Sequence, residues 1–316
     1  MNIKEGKNRM IKSFIYLDEQ KMYSLSSQIF EGITEYVLQE SATGNEATEN
    51  QKGPVGSGRI LADVIKSSIK STEKKFFHDY SYSIFEKYLL DQSKVLTVER
   101  TNSNKNEILE GFNSFSFIKV RLKAVFNDVN KAIHLFENFN EIGQALSFVN
   151  SLPLIENINS AMKNSSGKSE RNELQNALKK ITDGTAAKEA GLYQDPQFLK
   201  SLLIVTKYGF SDQFETQQNI EGMLFTSNLK REYLREKEDL LIRKYSRKTE
   251  REIVVFGMIS QGITHELDLL STNETPGNMK EAWMNVVEHL ANLEKSISGK
   301  QKMEIVIDPI AVYVEV

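Results

Sequence analysis

Three stretches carry side chains of the types that perform chemistry, and each lacks the companions that chemistry needs. Gly53-Pro54-Val55-Gly56-Ser57-Gly58-Arg59-Ile60 has the glycine spacing of a phosphate-binding loop. Arg59 stands where such a loop needs Lys, Ile60 where it needs a hydroxyl for Mg²⁺, and the polar residues 45–52 precede it in place of a buried strand. His78-Asp79 resembles the doublet of metal phosphohydrolases, but His134, His265 and His289 supply no further ligand at a matching spacing. Asp18-Glu19 ends the apolar run Phe14-Ile15-Tyr16-Leu17. An Asp there can accept hydrogen bonds from first-turn N–H groups, and Glu19 lies where the helix dipole favours negative charge. Two catalytic acids would instead need different environments facing one substrate. These residues are expected to cap a helix. No metal site and no cofactor is expected, and the absence of Cys removes disulfides, thiolate nucleophiles and Cys-containing zinc or iron–sulfur sites.

Charge narrows the partners. The 40 Lys and Arg against 43 Asp and Glu leave a net charge of −3, which gives no global attraction to nucleic acid or anionic membrane. Two local clusters remain. Lys66, Lys70 and Lys74 form a row at four-residue steps, and Arg243, Arg247 and Arg251 make the second half of the charged segment 228–252 basic. These six are the candidate nucleic-acid-binding residues, with Arg121 on a strand face beside them. Mixed signs through 228–252 argue rather for a salt-bridged surface.

The elements that would position these groups follow from periodicity. The first unit is a strand at 14–17 and a helix carrying Met22, Leu25, Ile29, Ile33, Tyr36 and Val37 on one face, a surface on which a second copy could pair. Residues 40–60 read as a mobile loop. A helix spans 76–90 and a strand 95–98, an order that resembles a winged-helix element if a hairpin follows. Alternation predicts a strand over 115–126, and Asn127-Asp128 then caps a helix through Val149 with Ala132, Ile133, Leu135, Phe136, Phe139, Ile142 and Leu146 inward. Residues 199–208 and 223–227 read as strands of a second sheet. At the end, a strand at 253–259, a helix from Pro276-Gly277 that buries Met279, Trp283, Val286, Val287, Leu290 and Leu293, and a strand at 303–316 suggest a β-α-β unit with parallel strands. Pro309 marks an edge or a bulge in the last strand.

The expected fold is therefore α+β, with mixed sheets packed by amphipathic helices in two intimate lobes, 13–183 and 184–316, after a leader at 1–12. That leader lacks the apolar region of a signal peptide, and no run approaches the roughly 18 to 20 apolar residues that span a bilayer, so a cytoplasmic location is expected.

The opening Phe14-Ile15-Tyr16-Leu17-Asp18, the pair Phe256-Gly257 and the terminal Asp308-Pro309-Ile310-Ala311-Val312-Tyr313 resemble those of a bacterial protein family of unknown function. The resemblance implies an accessory role, such as a defence or mobile-element module, and carries over no catalytic residues. The expected function is a non-enzymatic interaction or scaffold protein with a protein partner. The alternatives are a nucleic-acid-binding regulator, and a metal-dependent hydrolase or nuclease built from dispersed acids such as Asp18 and Glu19.

Overall fold

The computed structural model describes residues 11–29, 73–101, 105–112, 114–263 and 277–316. The residues 40–60 expected as a loop, the phosphate-loop-like glycines, Lys66, Lys70 and most of the expected leader lie outside them, as do Ile33, Tyr36 and Val37. Contacts divide the chain into a sheet unit (1–127, 214–271 and 300–316) and a helical unit (128–213 and 272–299). Position 183/184 falls inside the helical unit.

The sheet unit is built on β1 (Lys12–Leu17), β2 (Val95–Glu99), β3 (Phe117–Asp128), β4 (Phe214–Ile220), β5 (Met223–Asn228), β6 (Lys248–Gln261) and β7 (Glu304–Glu315). These form one mixed sheet, not two. β3 pairs with β6, β6 with β7, β7 with β5, β5 with β4 and β4 with β3, so five strands close on themselves, and β1 and β2 extend β7 and β3. Successive side chains point to opposite faces. Ile253, Val255, Val312 and Val314 therefore join Val120, Leu122, Phe126, Phe214 and Phe225 in one core, while Val254, Phe256, Ala311 and Tyr313 join a second. The second core is shared with α1 (Glu19–Ile29) and α2 (Glu73–Asp91), which bring Met22, Tyr23, Tyr82, Phe85 and Leu89. Each fully buried aromatic or aliphatic side chain there is worth about 1.5–3 kcal/mol.

The three stretches that carry the family resemblance meet in this core. β1 runs antiparallel to β7, and Tyr16 lies opposite Val312. Phe256 lies opposite Ala311, and the register then shifts so that Gly257 faces Pro309. A bulge is where a ladder tolerates a residue without an N–H. A Cβ on Gly257 would come within 2.3 Å of the Asp308 carbonyl oxygen, so glycine here is required by close approach of the two strands.

Several expectations fail in informative ways. β6 and β7 pair antiparallel, not parallel; the helix between them, α11 (Met279–Ser298), belongs by its contacts to the helical unit and does not tie them as a crossover. β2 pairs with β3 in parallel, so no hairpin follows it and no winged-helix element forms. The β4–β5 hairpin turns tightly at Glu221-Gly222, both with positive φ. The polar stretch 211–219, expected as the loop of a long hairpin between strands at 199–208 and 223–227, instead runs into β4. The described helices also include α3 (Lys105–Gly111) and α10 (Glu238–Tyr245) in the sheet unit.

The helical unit holds α4 (Val129–Glu137), α5 (Phe139–Asn150), α6 (Leu152–Asn164), α7 (Lys168–Thr182), α8 (Thr185–Glu189), α9 (Pro196–Phe210) and α11. The segment 199–208, expected as a strand, is inside α9. Asp195 caps that helix, accepting from the Phe198 N–H at 2.8 Å, and Pro196 occupies its first position. An apolar run of this length fits either period, and the cap decides it. Asp128 caps α4 as expected, but the helix through Val149 is two helices, broken at Asn138.

Candidate functional site

Two features of the structure could carry function: an ionic cluster at the start of α1 and the outward faces of the helical unit. In the first, Asp18 is 1% exposed and accepts from the Lys21 N–H at 2.9 Å, which is the expected cap. Its carboxylate also pairs with Lys21 at 3.5 Å and Lys230 at 3.3 Å, while Lys21 reaches Asp308 at 2.5 Å. Glu19 pairs with Arg235 at 3.1 Å and with His78 at 3.3 Å, and Arg235 also binds Asp79 at 2.8 Å. The Tyr23 hydroxyl lies 2.6 Å from His78 Nδ1, and burial, the largest influence, pushes its phenol well above the ordinary range.

Folding thus gathers Asp18, Glu19, His78 and Asp79, which sequence reasoning weighed separately. The three acids are each answered by a basic group, and His78 is itself the partner of Glu19. Among the described residues, no group of three or more His, Asp or Glu is arranged to hold a metal ion. The cluster ties α1, α2, β7 and the segment after β5 together, a structural task. A cavity of about 490 Å³ shares no residue with it; Arg100, Lys123, Glu221 and Glu252 line that cavity and mix both signs of charge.

A second ionic group lies under α2. Glu86, 2% exposed, binds Lys12, Lys119 at 3.2 Å and the Tyr313 hydroxyl, and Lys119 also binds Glu315 at 3.1 Å. Burial opposes the charge on Glu86, but the ammonium groups of Lys12 and Lys119 outweigh it and hold its carboxyl below the ordinary 4.5. Burial likewise opposes the charge on Lys119, and Glu86 and Glu315 outweigh it.

Of the candidate nucleic-acid residues, Lys66 and Lys70 lie outside the described residues. Lys74 lies in the first turn of α2, where only the backbone is described. Arg243 is exposed on the last turn of α10, Arg247 donates to the Phe126 carbonyl oxygen at 3.1 Å, and Arg251 is exposed on β6. Arg121 is bound by Glu252 and Glu315. The charged segment is laced by Arg231–Glu238 and Lys244–Glu236 pairs, as its mixed signs suggested.

The outward faces of the helical unit are the feature sequence reasoning missed. Of the large hydrophobic side chains exposed among the described residues, all except Ile11, Leu90, Leu240 and Val316 belong to this unit. On α5 the exposed residues Ile142, Leu146 and Val149 form a stripe, while the buried residues are Gly143 and Ser147. A Cβ on Gly143 would come within 1.9 Å of the Leu192 carbonyl oxygen, so small residues set that inward packing. On α9, Phe198, Val205 and Tyr208 are exposed and Leu199 is buried. On α11 all six residues expected to be buried are exposed, from Met279 at 85% and Trp283 at 66% to Val287 at 41%. Its half-buried residues are instead Glu281, Ala282, Met284, Asn285, Glu288 and Ile297. Periodicity locates an apolar stripe but says nothing of what covers it. One signal was legible: 279, 283, 286, 290, 293 and 297 step by four and three alternately, the 3.5-residue period of a helix–helix seam.

Fold and surface together define an α+β protein whose helical unit presents contiguous apolar stripes, with no described helix long and apolar enough to cross a membrane. The chain belongs to the family described as Domain of unknown function (DUF6414), whose model matches residues 11–313. No curated protein and no solved structure matches it.

Proposed function

We propose that this chain is a non-enzymatic interaction protein whose helical unit binds a protein partner through its outward apolar stripes. The observation that carries this reading is the exposure of large hydrophobic side chains on α5, α9 and α11. Monomeric proteins rarely expose contiguous apolar patches beyond a few hundred Å², and the aromatic residues and Met in these stripes, Phe148, Phe198, Tyr208, Met279 and Trp283, are types enriched in interface cores. The charges of α11, Lys280 and Lys295 against Glu281, Glu288 and Glu294, give no attraction to anionic lipid and so favour a protein over a membrane surface. The pairing of Asp18, Glu19 and Asp79 with basic groups supports the non-enzymatic side of the reading. An accessory or defence module in a bacterium is the cellular setting that accompanies it.

The test is a photo-crosslinking side chain placed at Val286, at Leu146 and, as a control in the sheet unit, at the exposed Glu250, in cells of the native host. Adducts at Val286 or Leu146 but not Glu250 are expected. The crosslinked protein, identified by mass and purified, should rebind this chain and lose binding to Leu146→Asp or Val286→Asp. Absence of adducts at both helical-unit positions overturns the reading.

A further inference from the structure

We propose that one partner is a second copy of this chain, bound through an antiparallel pairing of α11 with α11. This rests on the reading of the helical unit as an interaction surface and names the occupant of one of its stripes. α11 is twenty residues, about 30 Å long, and it is well started: the Glu281 N–H donates to Asn278 Oδ1 at 3.0 Å, and the Gly277 N–H donates to Glu281 Oε2 at 2.8 Å. Its seam faces outward from Met279 through Leu293. Ile297, which continues the spacing, is half-buried and packs on Gly209 of α9, closing the seam at that end.

Reversed on itself, this seam is self-complementary. With a two-fold axis at the level of residues 287–288, Trp283 lies opposite Leu293 and Val286 opposite Leu290, and each layer occurs twice. Large side chains then meet smaller ones at the 8–10 Å interaxial distance of packed helices. The residues flanking the seam on one side are Lys280, Val287 and Glu294. In the same register Lys280 of one copy faces Glu294 of the other, and Val287 faces its own symmetry mate. A parallel pair would stack two Trp283 rings in one layer and offer Lys280 no acid. The two-fold contact is isologous, so association stops at a dimer. A helix pair of this length buries on the order of 1,000 Å², the lower bound for a specific interface, so a reversible dimer is expected.

Trp283 is the single tryptophan of the chain, so its emission reports the seam directly. Sedimentation velocity of the full chain across the micromolar range is expected to show monomer passing to dimer, with a blue shift of Trp283 emission over the same range. Leu290→Asp should hold the chain monomeric, abolish the shift and leave the far-ultraviolet circular dichroism unchanged. Lys280→Glu and Glu294→Lys should each weaken the dimer by about tenfold, since each replaces two attractive pairs by two repulsive ones, and the double variant should recover affinity to within about threefold. A monomer at every concentration, a dimer indifferent to Leu290→Asp, or no recovery in the double variant overturns the proposal. If the wild-type chain is monomeric while Val286 crosslinks a different protein, the self-pairing falls and the interaction reading stands; if Val286 and Leu146 crosslink nothing as well, both fall.

Discussion

Replacing Glu86 by Gln tests whether the ionic group under α2 stabilises the sheet unit through its charge balance. The side chain keeps its size and an oxygen that accepts from the Tyr313 hydroxyl, so no cavity is created. What changes is the charge facing Lys12 and Lys119. Removing one partner of a buried ion pair costs about 3–5 kcal/mol. Lys119 keeps Glu315, so the lower end applies, a loss of about 3 kcal/mol at neutral pH. The pH dependence separates this cause from simple loss of packing. Because the folded protein holds Glu86 below 4.5, the carboxylate stabilises the fold fully above that value. The contribution fades as pH falls through the folded-state pKa. Wild type and Glu86→Gln should therefore converge in acid. Equilibrium urea denaturation followed by far-ultraviolet circular dichroism measures the difference at neutral pH and at about pH 3. A loss under about 1 kcal/mol at neutral pH, or one that persists undiminished in acid, refutes the argument.

Three further outcomes follow from packing and capping. Gly257→Ala forces a Cβ against the Asp308 carbonyl oxygen and Pro309 Cα; a loss of at least about 2 kcal/mol in urea denaturation is expected. Gly143→Ala drives a Cβ into the Leu192 carbonyl oxygen and should destabilise the helical unit by about 1–3 kcal/mol, read from the far-ultraviolet circular dichroism transition in urea. Asp195→Ala removes the side-chain acceptor for the Phe198 N–H and should cost about 1 kcal/mol in the same assay.

The physical reach of sequence reasoning differs from element to element. Asp18 and Asp128 were legible as helix caps because a cap depends on a few adjacent residues. Pro309 was legible as a ladder irregularity because a missing N–H is a local fact. The segment 199–208 was misread because a short apolar run fits a buried strand and a helix alike, although Asp195-Pro196 before it carried the helix-start signal. Strand partners were less accessible. β6 and β7 are separated by α11, and whether they run parallel depends on where that helix packs. The ionic cluster draws on residues 18, 79, 235 and 308, which no spacing rule connects.

By itself, the amino-acid sequence determined the α+β class, the exclusion of cysteine chemistry, the helix caps at Asp18 and Asp128 and the irregularity at Pro309, because each depends on composition or on neighbouring residues. Tertiary structure alone decided that Asp18, Glu19 and Asp79 are each answered by a basic group, with His78 paired to Glu19, and that the apolar stripe of α11 faces outward. A hydrophobic period states that a face avoids water; only the packing of the rest of the chain states whether that face is already covered, and on α11 it is not.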